Sequence, residues 1–167
     1  MSATDPKVIE DLKAAFAGES QANRKYLAFA AKADQEKEPF AAKAFRAAAE
    51  AETIHAHSHL RLLAGVKSTA ENLQEAVSGE TFEFTSMYPE MIKDAQNAGD
   101  KAAERDFHLA NEAEKVHAEL FKKAAQNQGK PAPKLFVCKV CGHVAEGAIP
   151  DVCPICGGKH QVYFEIE

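Results

Sequence analysis

Ala41-Ala-Lys-Ala-Phe45-Arg-Ala-Ala48-Ala-Glu-Ala-Glu52-Thr-Ile-His55-Ala-His-Ser-His59-Leu-Arg-Leu62 reads as an amphipathic helix with a carboxylate and an imidazole in the middle of its apolar stripe. The stripe runs Ala41, Phe45, Ala48, Glu52, His55, His59 and Leu62 in steps of four and three, so these side chains share one helix face. Three other segments repeat the design. The first runs Val8, Leu12, Phe16, Glu19, Asn23, Tyr26, Ala30; the third runs Leu73, Val77, Glu80, Glu83, Met87, Met91. The fourth runs Ala103, Phe107, Ala110, Glu114, His117, Phe121, Ala124. Breaks at Lys37-Glu38-Pro39, at Gly65-Val66-Lys67-Ser68-Thr69 and at Asn97-Ala98-Gly99-Asp100 predict helices over about 5–36, 39–64, 69–98 and 100–126. Pro39 suits a helix opening, Ser68 or Thr69 and Asp100 suit N-caps, and the glycines suit helix exits. Four segments of this length predict an antiparallel bundle in which the acidic interruptions, each near mid-helix, meet at one level.

Five glutamates in one buried layer cannot all stay ionised without compensating cations, because desolvation costs several kcal/mol per charge. Glu52/His55 and Glu114/His117 each put a carboxylate and an imidazole one turn apart on one face, where both can bind the same ion. A single Glu-x-x-His pair is common by chance. Two pairs, with Glu19 and Glu80/Glu83 on the remaining helices, point to a pair of iron or manganese ions held by hard oxygen and imidazole ligands. One Glu from each of two helices plus two Glu-x-x-His pairs is the known ligand pattern of dimetal carboxylate bundles. His57 falls on the opposite face and His108 off the stripe; His59 reads as a packing residue one turn from the metal layer. Met87, Met91 and the phenylalanines read as core.

Beyond the helices the composition changes. Gln126-Asn-Gln-Gly-Lys-Pro-Ala-Pro-Lys134 reads as a linker. The four cysteines of the chain follow it as two knuckles, Cys138-Lys-Val-Cys141-Gly and Cys153-Pro-Ile-Cys156-Gly, eleven residues apart. Each C-x-x-C turn lets two thiolates converge on one ion, and the pair completes a tetrahedral cage. Short β-like runs, Lys134-Leu-Phe-Val137 and Gln161-Val-Tyr-Phe-Glu-Ile166, flank the knuckles; His143 and His160 read as surface groups beside them. So small a module cannot build a sufficient core alone, and the metal must hold it together. Taken alone the knuckles favour zinc; beside a dimetal bundle they favour iron.

Bulk properties narrow the partners. A net charge of −5 without a basic run argues against nucleic acid, and no apolar stretch approaches a membrane span. The N-terminus Met1-Ser-Ala-Thr-Asp-Pro-Lys is polar and lacks the apolar run of a signal peptide. Four thiols in metal-type spacing fit a reducing cytoplasm.

With both constellations in view the chain resembles the rubrerythrin family along nearly its whole length. The motifs are Phe16-Ala-Gly-Glu19-Ser-Gln-Ala22, Glu52-x-x-His55, Gly79-Glu80-x-x-Glu83-x-x-x-Met87-Tyr-Pro89, Glu114-x-x-His117 and the two knuckles. The resemblance implies an all-α ferritin-like four-helix bundle (1–126), a linker (127–134) and a small β-rich rubredoxin-like module (135–167). It implies two iron ions held by Glu19, Glu52, His55, Glu80, Glu83, Glu114 and His117, and one iron held by Cys138, Cys141, Cys153 and Cys156. It further implies a peroxidase that reduces hydrogen peroxide to water in oxidative-stress defence. Electrons would come from a separate NAD(P)H-dependent reductase or a rubredoxin. The family's exchange of a carboxylate for a histidine on reduction maps onto Glu83 and His55. Tyr26, on the face of Glu19, either donates a hydrogen bond to a ligand or to peroxide, or is a core tyrosine. Family members commonly form homodimers in which one subunit's rubredoxin iron lies near the other's diiron pair. The linker spans roughly 30 Å when extended, so geometry alone permits transfer within or between subunits. The rival readings are a ferritin-like protein that oxidises and stores iron, and a zinc-ribbon interaction protein with a structural dimetal bundle.

Overall fold

The computed structural model describes residues 4–167; residues 1–3, the start of the polar N-terminal stretch, lie outside the described residues. Two compact units divide at the α2–α3 connection, Met1–Lys67 and Ser68–Glu167. The first is a helical hairpin of α1 (Pro6–Gln35) and α2 (Pro39–Leu62). Asp5 caps α1 by accepting from the backbone N–H groups of Lys7 and Val8, and Pro6 and Pro39 open their helices where a missing N–H costs nothing. The turn between them places Lys37 at φ 62°.

Alanine forms the seam of this hairpin. Ala30, Ala33, Ala42, Ala49 and Ala56 are buried, the last three repeating every seven residues on α2. Asn23 ties the helices together, donating through Nδ2 to the Ala49 carbonyl (2.8 Å) and the Thr53 hydroxyl (2.9 Å). Toward the turn, Arg46 forks onto the Asp34 carboxylate. The sequence places the larger stripe residues and the phenylalanines in the core, yet Val8, Phe29 and Leu62 are exposed on this chain, as are Leu27 and Ile54 off the stripes. Small residues thus make the buried seam of the hairpin, and the aromatics Tyr26, Phe29 and Phe45 pack across it at its side.

The second unit starts with α3 (Thr69–Phe82), capped by a reciprocal Ser68–Glu71 box. The predicted uninterrupted helix over 69–98 is in fact two helices joined by a π-turn (Glu83–Met87), after which α4 runs Tyr88–Ala98. Pro89 supplies the reason: its ring would clash with the Thr85 carbonyl four residues back, and it offers no N–H to continue the ladder. The wide turn absorbs both defects, and Thr81 and Thr85 donate their hydroxyls back to the Val77 and Thr81 carbonyls. Gly99, left-handed at φ 71°, ends α4, and Asp100 caps α5 (Lys101–Gln126) as the sequence predicts.

The small module follows, its three strands β1 (Leu135–Cys138), β2 (Val144–Glu146) and β3 (Tyr163–Ile166) forming an antiparallel sheet in the order β2-β1-β3. Register pairs Val137 with Val144 and Cys138 with Tyr163. Phe136, Cys138, Ala145, Cys153 and Tyr163 make its core, so the thiols are both ligand set and packing.

Candidate metal centres

The four thiols converge within 4.8 Å of one another. The Sγ atoms of Cys138 and Cys156 are 3.7 Å apart, those of Cys141 and Cys153 3.5 Å, and no disulfide forms. A tetrahedral thiolate site with metal–sulfur bonds of about 2.3 Å has edges of about 3.8 Å, so the cage fits a single ion. Burial opposes ionisation of Cys153, but the backbone N–H groups of Cys156 and Ile155 and the Tyr163 hydroxyl outweigh it and hold this thiol at about 6. Burial pushes Cys141 and Cys156 the other way. One thiolate is thus prepared in advance, and an ion supplies the charge the others need.

His143 is not a surface group. Its Nδ1 lies 2.8 Å from the Tyr163 hydroxyl, with the rings edge to face. Burial, with the His117 ring beyond, pushes its pKa below the usual histidine value. A neutral His143 protonated at Nδ1 donates to the phenol oxygen, which leaves the Tyr163 proton for the Cys153 thiolate and fixes the phenol beside the cage. The β1–β3 register, which sets Tyr163 opposite Cys138, is what brings it there.

In the Ser68–Glu167 unit, Glu80, Glu114 and His117 converge within 4.8 Å. His117 Nε2 lies 2.9 Å from the Gly142 carbonyl, which can only accept, so this nitrogen carries a proton. In the neutral ring Nδ1 is then a bare acceptor, yet it faces Glu114 Oε2 at 2.6 Å and Glu80 Oε2 at 3.6 Å. Three acceptors converge on a space that only a positive particle can reconcile, a proton on the ring or a metal ion. Glu80 Oε2 is buried without a hydrogen-bond partner. Burial and then the neighbouring Glu114 carboxylate raise the Glu80 carboxyl to about 6. The donor set fits a divalent cation.

Glu83 opens the π-turn just after this triad and stands outside it; burial and the charge of Glu80 raise its carboxyl. Tyr88, one residue past the turn, packs on Phe107. In the Met1–Lys67 unit, Glu19, Glu52 and His55 form the corresponding triad, with His55 Nδ1 2.9 Å from Glu52 Oε2. The structure therefore gathers six of the seven predicted helical ligands into two triads of like composition. Tyr26 packs its ring against Phe29 and Phe45, and among the described residues its hydroxyl reaches no ligand carboxylate. His59, read as a packing residue, keeps Nδ1 buried without a partner.

The raised Glu80 carboxyl carries a pH prediction for metal-free protein. Between about 4.5 and about 6 the folded chain holds a proton that the unfolded chain has released, so this group's contribution to stability falls as pH rises through that window. Glu80→Gln should raise the melting temperature of chelator-treated protein at pH 7 and leave it nearly unchanged at pH 5. Equal shifts at both pH values would contradict the assignment.

The small module docks on α5 within the same unit. Besides the His117–Gly142 hydrogen bond, Lys123 pairs with Glu146 at 2.5 Å. Gly142 is left-handed at φ 77°, and a Cβ there would lie 3.9 Å from the Ala113 methyl, so the knuckle backbone comes close to the helix. No sequence signal marks this docking, because it is made by a backbone carbonyl.

Helical hairpins carrying paired Glu-x-x-His motifs, with a four-thiolate module appended, define the class of dimetal-carboxylate redox proteins. Comparison with known proteins narrows the class to a family. Residues 10–125 match the family described as Rubrerythrin, and residues 136–165 that described as Rubrerythrin, rubredoxin-like domain. Rubrerythrin-2 of Clostridium acetobutylicum is 34% identical over 181 aligned residues, covering 98% of each chain. Nigerythrin of Nitratidesulfovibrio vulgaris is 36% identical over 163, covering 89% of this chain and 81% of its own. Among solved structures, nigerythrin in a partially reduced state matches with a TM-score of 0.59 at 32% identity, covering 99% of this chain and 89% of that one. The chain belongs to the rubrerythrin family, a family of oxidoreductases with a ferritin-like diiron domain and a rubredoxin-like iron module. Its cofactors are accordingly a diiron centre and one iron in the four-cysteine cage. Among the described residues no helix is long and apolar enough to cross a membrane.

Proposed function

We propose that this protein is a non-haem diiron peroxidase that reduces hydrogen peroxide to water, H2O2 + 2 e⁻ + 2 H⁺ → 2 H2O. Its domains are a diiron part over 1–126, a linker over 127–134 and an electron-relay module over 135–167. The observation that carries the reading is the 2.9 Å contact between His117 Nε2 and the Gly142 carbonyl. Cys141 is covalently next to Gly142, so one hydrogen bond separates a cage thiolate's backbone from a diiron ligand. A storage protein has no use for that connection.

A bound diiron pair supplies two electrons together and polarises both peroxide oxygens. Glu19, Glu52, Glu80, Glu83 and Glu114 would set the charge around it, and His55 and His117 would complete the ligand set. Five carboxylates against two divalent ions leave one surplus negative charge. His117 has a second role, since donating through Nε2 to Gly142 locks its tautomer so that Nδ1 faces the carboxylates. Glu83, at the start of the wide turn and outside the triad, would be the carboxylate that exchanges with neutral His55 on reduction. Cys138, Cys141, Cys153 and Cys156 would hold the cage iron, which would supply one-electron transfer from a separate reductase or rubredoxin, two such transfers being needed per peroxide. Four cysteines in metal-type spacing fit a reducing compartment such as the cytoplasm, where the protein would act in defence against peroxide.

Glu83→Ala tests the charge assignment. It removes one negative charge and leaves the triads intact, so two metals should still bind. The oxidised pair carries more positive charge and loses more stabilisation, so the diiron potential should rise. A unit charge at about 5 Å with an effective dielectric of about 20 sets the shift at or below the order of 100 mV. Steady-state peroxide reduction should slow. A potential that is unchanged or lowered in redox titration would exclude Glu83 as the exchanging ligand.

A further inference from the structure

We propose that the hydrogen bond from Tyr163 to Cys153, oriented by His143, raises the reduction potential of the caged iron. The inference rests on the caged iron alone. It holds or fails independently of the peroxidase reading, because no peroxide and no diiron pair enter it.

The cage sulfurs take hydrogen bonds from two sources. Backbone N–H groups supply the first: His143 to Cys141, Ile155 and Cys156 to Cys153, and Gly158 to Cys156. Each of these donors lies just beyond the sulfur it serves, so the bonds come with the knuckle turns whatever the side chains are. The second source is a side chain. Tyr163 reaches Cys153 from β3, which the sheet register sets against Cys138 of the first knuckle. Packing does not require its hydroxyl. Tyr163 is 7% exposed in the cluster of Phe136, Cys138, Ala145 and Cys153, where a phenylalanine ring would fill the same space. A buried phenol costs free energy unless it is partnered, so this one is retained with its partners in place.

The phenol has a single proton to give, and its oxygen can also accept. That oxygen lies 2.8 Å from His143 Nδ1. Were Nδ1 bare, the proton would point at the ring and Cys153 would lose its donor. With the proton on Nδ1, the ring donates to the phenol oxygen and the phenol proton is left for the sulfur. Nδ1 is protonated in one neutral tautomer and in the cation alike, so the arrangement does not depend on His143 titrating. Accepting from the ring also polarises the phenol and makes it the stronger donor. The knuckle itself holds the ring in place. The His143 carbonyl accepts the Cys138 N–H at 2.9 Å, its N–H serves Cys141, and its ring stands edge to face on Tyr163. Tyr163 therefore touches the cage, and His143 is a positioning residue acting through it.

The sign follows from charge. Four thiolates leave one net negative charge around a ferric ion and two around a ferrous one. The electron that separates the two forms comes from the external reductant, with no proton and no bond change. A donor on the sulfur stabilises the more negative form more, so the potential rises.

Redox titration of the iron-loaded full-length chain, followed at the thiolate–iron band, tests the pair. Tyr163→Phe keeps the ring and removes the hydroxyl. At a fixed solution potential its ferrous-to-ferric ratio should fall about tenfold, which is about 59 mV for a one-electron couple. His143→Phe frees the phenol to turn, so the ratio should fall by less, and it should not fall further when Tyr163→Phe is already present. His143→Asn, which keeps an N–H donor close to the place of Nδ1, should restore the native value. A phenol that serves only to satisfy His143 gives a different result: Tyr163→Phe changes the melting temperature and leaves the potential where it was. That result would overturn the proposal, as would a His143→Phe shift of equal size with and without the Tyr163 hydroxyl. Should Tyr163→Phe fail to hold iron, the two His143 variants decide, and equal potentials for His143→Phe and His143→Asn would overturn it.

Discussion

Cys153→Ser abolishes reductant-driven peroxide turnover while leaving the helical content intact; this is the largest expected effect. Cys153 is fully buried and is both a cage ligand and part of the only hydrophobic cluster of the small module among the described residues. It is also the thiol most readily ionised, through the N–H groups of Ile155 and Cys156 and the Tyr163 hydroxyl. A serine offers a hard oxygen where the cage needs a thiolate, so the visible thiolate–iron band should vanish. A module of some 33 residues has little else to hold it, and its dock on α5 should loosen. The helical part, capped and seamed independently, should fold as before. Protein reduced chemically should still consume one charge of peroxide. Steady-state turnover at the native rate would remove the cage iron from the electron path.

The second large effect belongs to His117→Ala, because this ring serves both metal sites. Losing Nδ1 leaves Glu80 and Glu114 facing each other without a neutral donor between them, and Glu80 is already hard to ionise. Metal affinity at that half should fall by more than the 10–100-fold that loss of an outer partner costs. Losing Nε2–H orphans the Gly142 carbonyl and removes the hydrogen bond between module and ligand. His55→Ala removes a ligand of the same chemistry that makes no such contact, so it serves as the control. With both variants loaded at saturating iron, His117→Ala should slow electron transfer from the cage far more than His55→Ala. Equal slowing, followed as reoxidation of the cage band, would show that the path runs elsewhere.

Much of this is legible in the residues. Glu-x-x-His spacing and the knuckles single out candidate ligands, because coordination demands particular side chains at particular helical intervals, and six of the seven helical candidates and the four thiols lie close enough together to hold ions. Asp100, Ser68 and Gly99 mark their helix ends because capping is local chemistry. The features that are not legible have tertiary causes. The π-turn at Glu83 is signalled only by Pro89, and a proline inside a helical pattern reads first as a kink. The alanine seam is hidden because periodicity finds the bulky face, whereas close helix approach uses the small one. His143 reads as a surface group because nothing local pairs it with Tyr163; the sheet register does. The contact of His117 with a backbone carbonyl leaves no trace in side-chain identity at position 142 beyond a glycine that the knuckle turn already requires.

The central claim is that electrons leave the cysteine-caged iron through His117 to reduce peroxide at the helical diiron pair. Rapid mixing of fully reduced native protein with excess hydrogen peroxide, following peroxide and the cage-iron band together, tests it most directly. The account predicts that the cage band appears in step with peroxide loss, and that both are strongly slowed when the helical ligands are occupied by redox-inert zinc. A cage iron that stays reduced while peroxide is consumed, or one that oxidises at the native rate in the zinc-loaded protein, would contradict it.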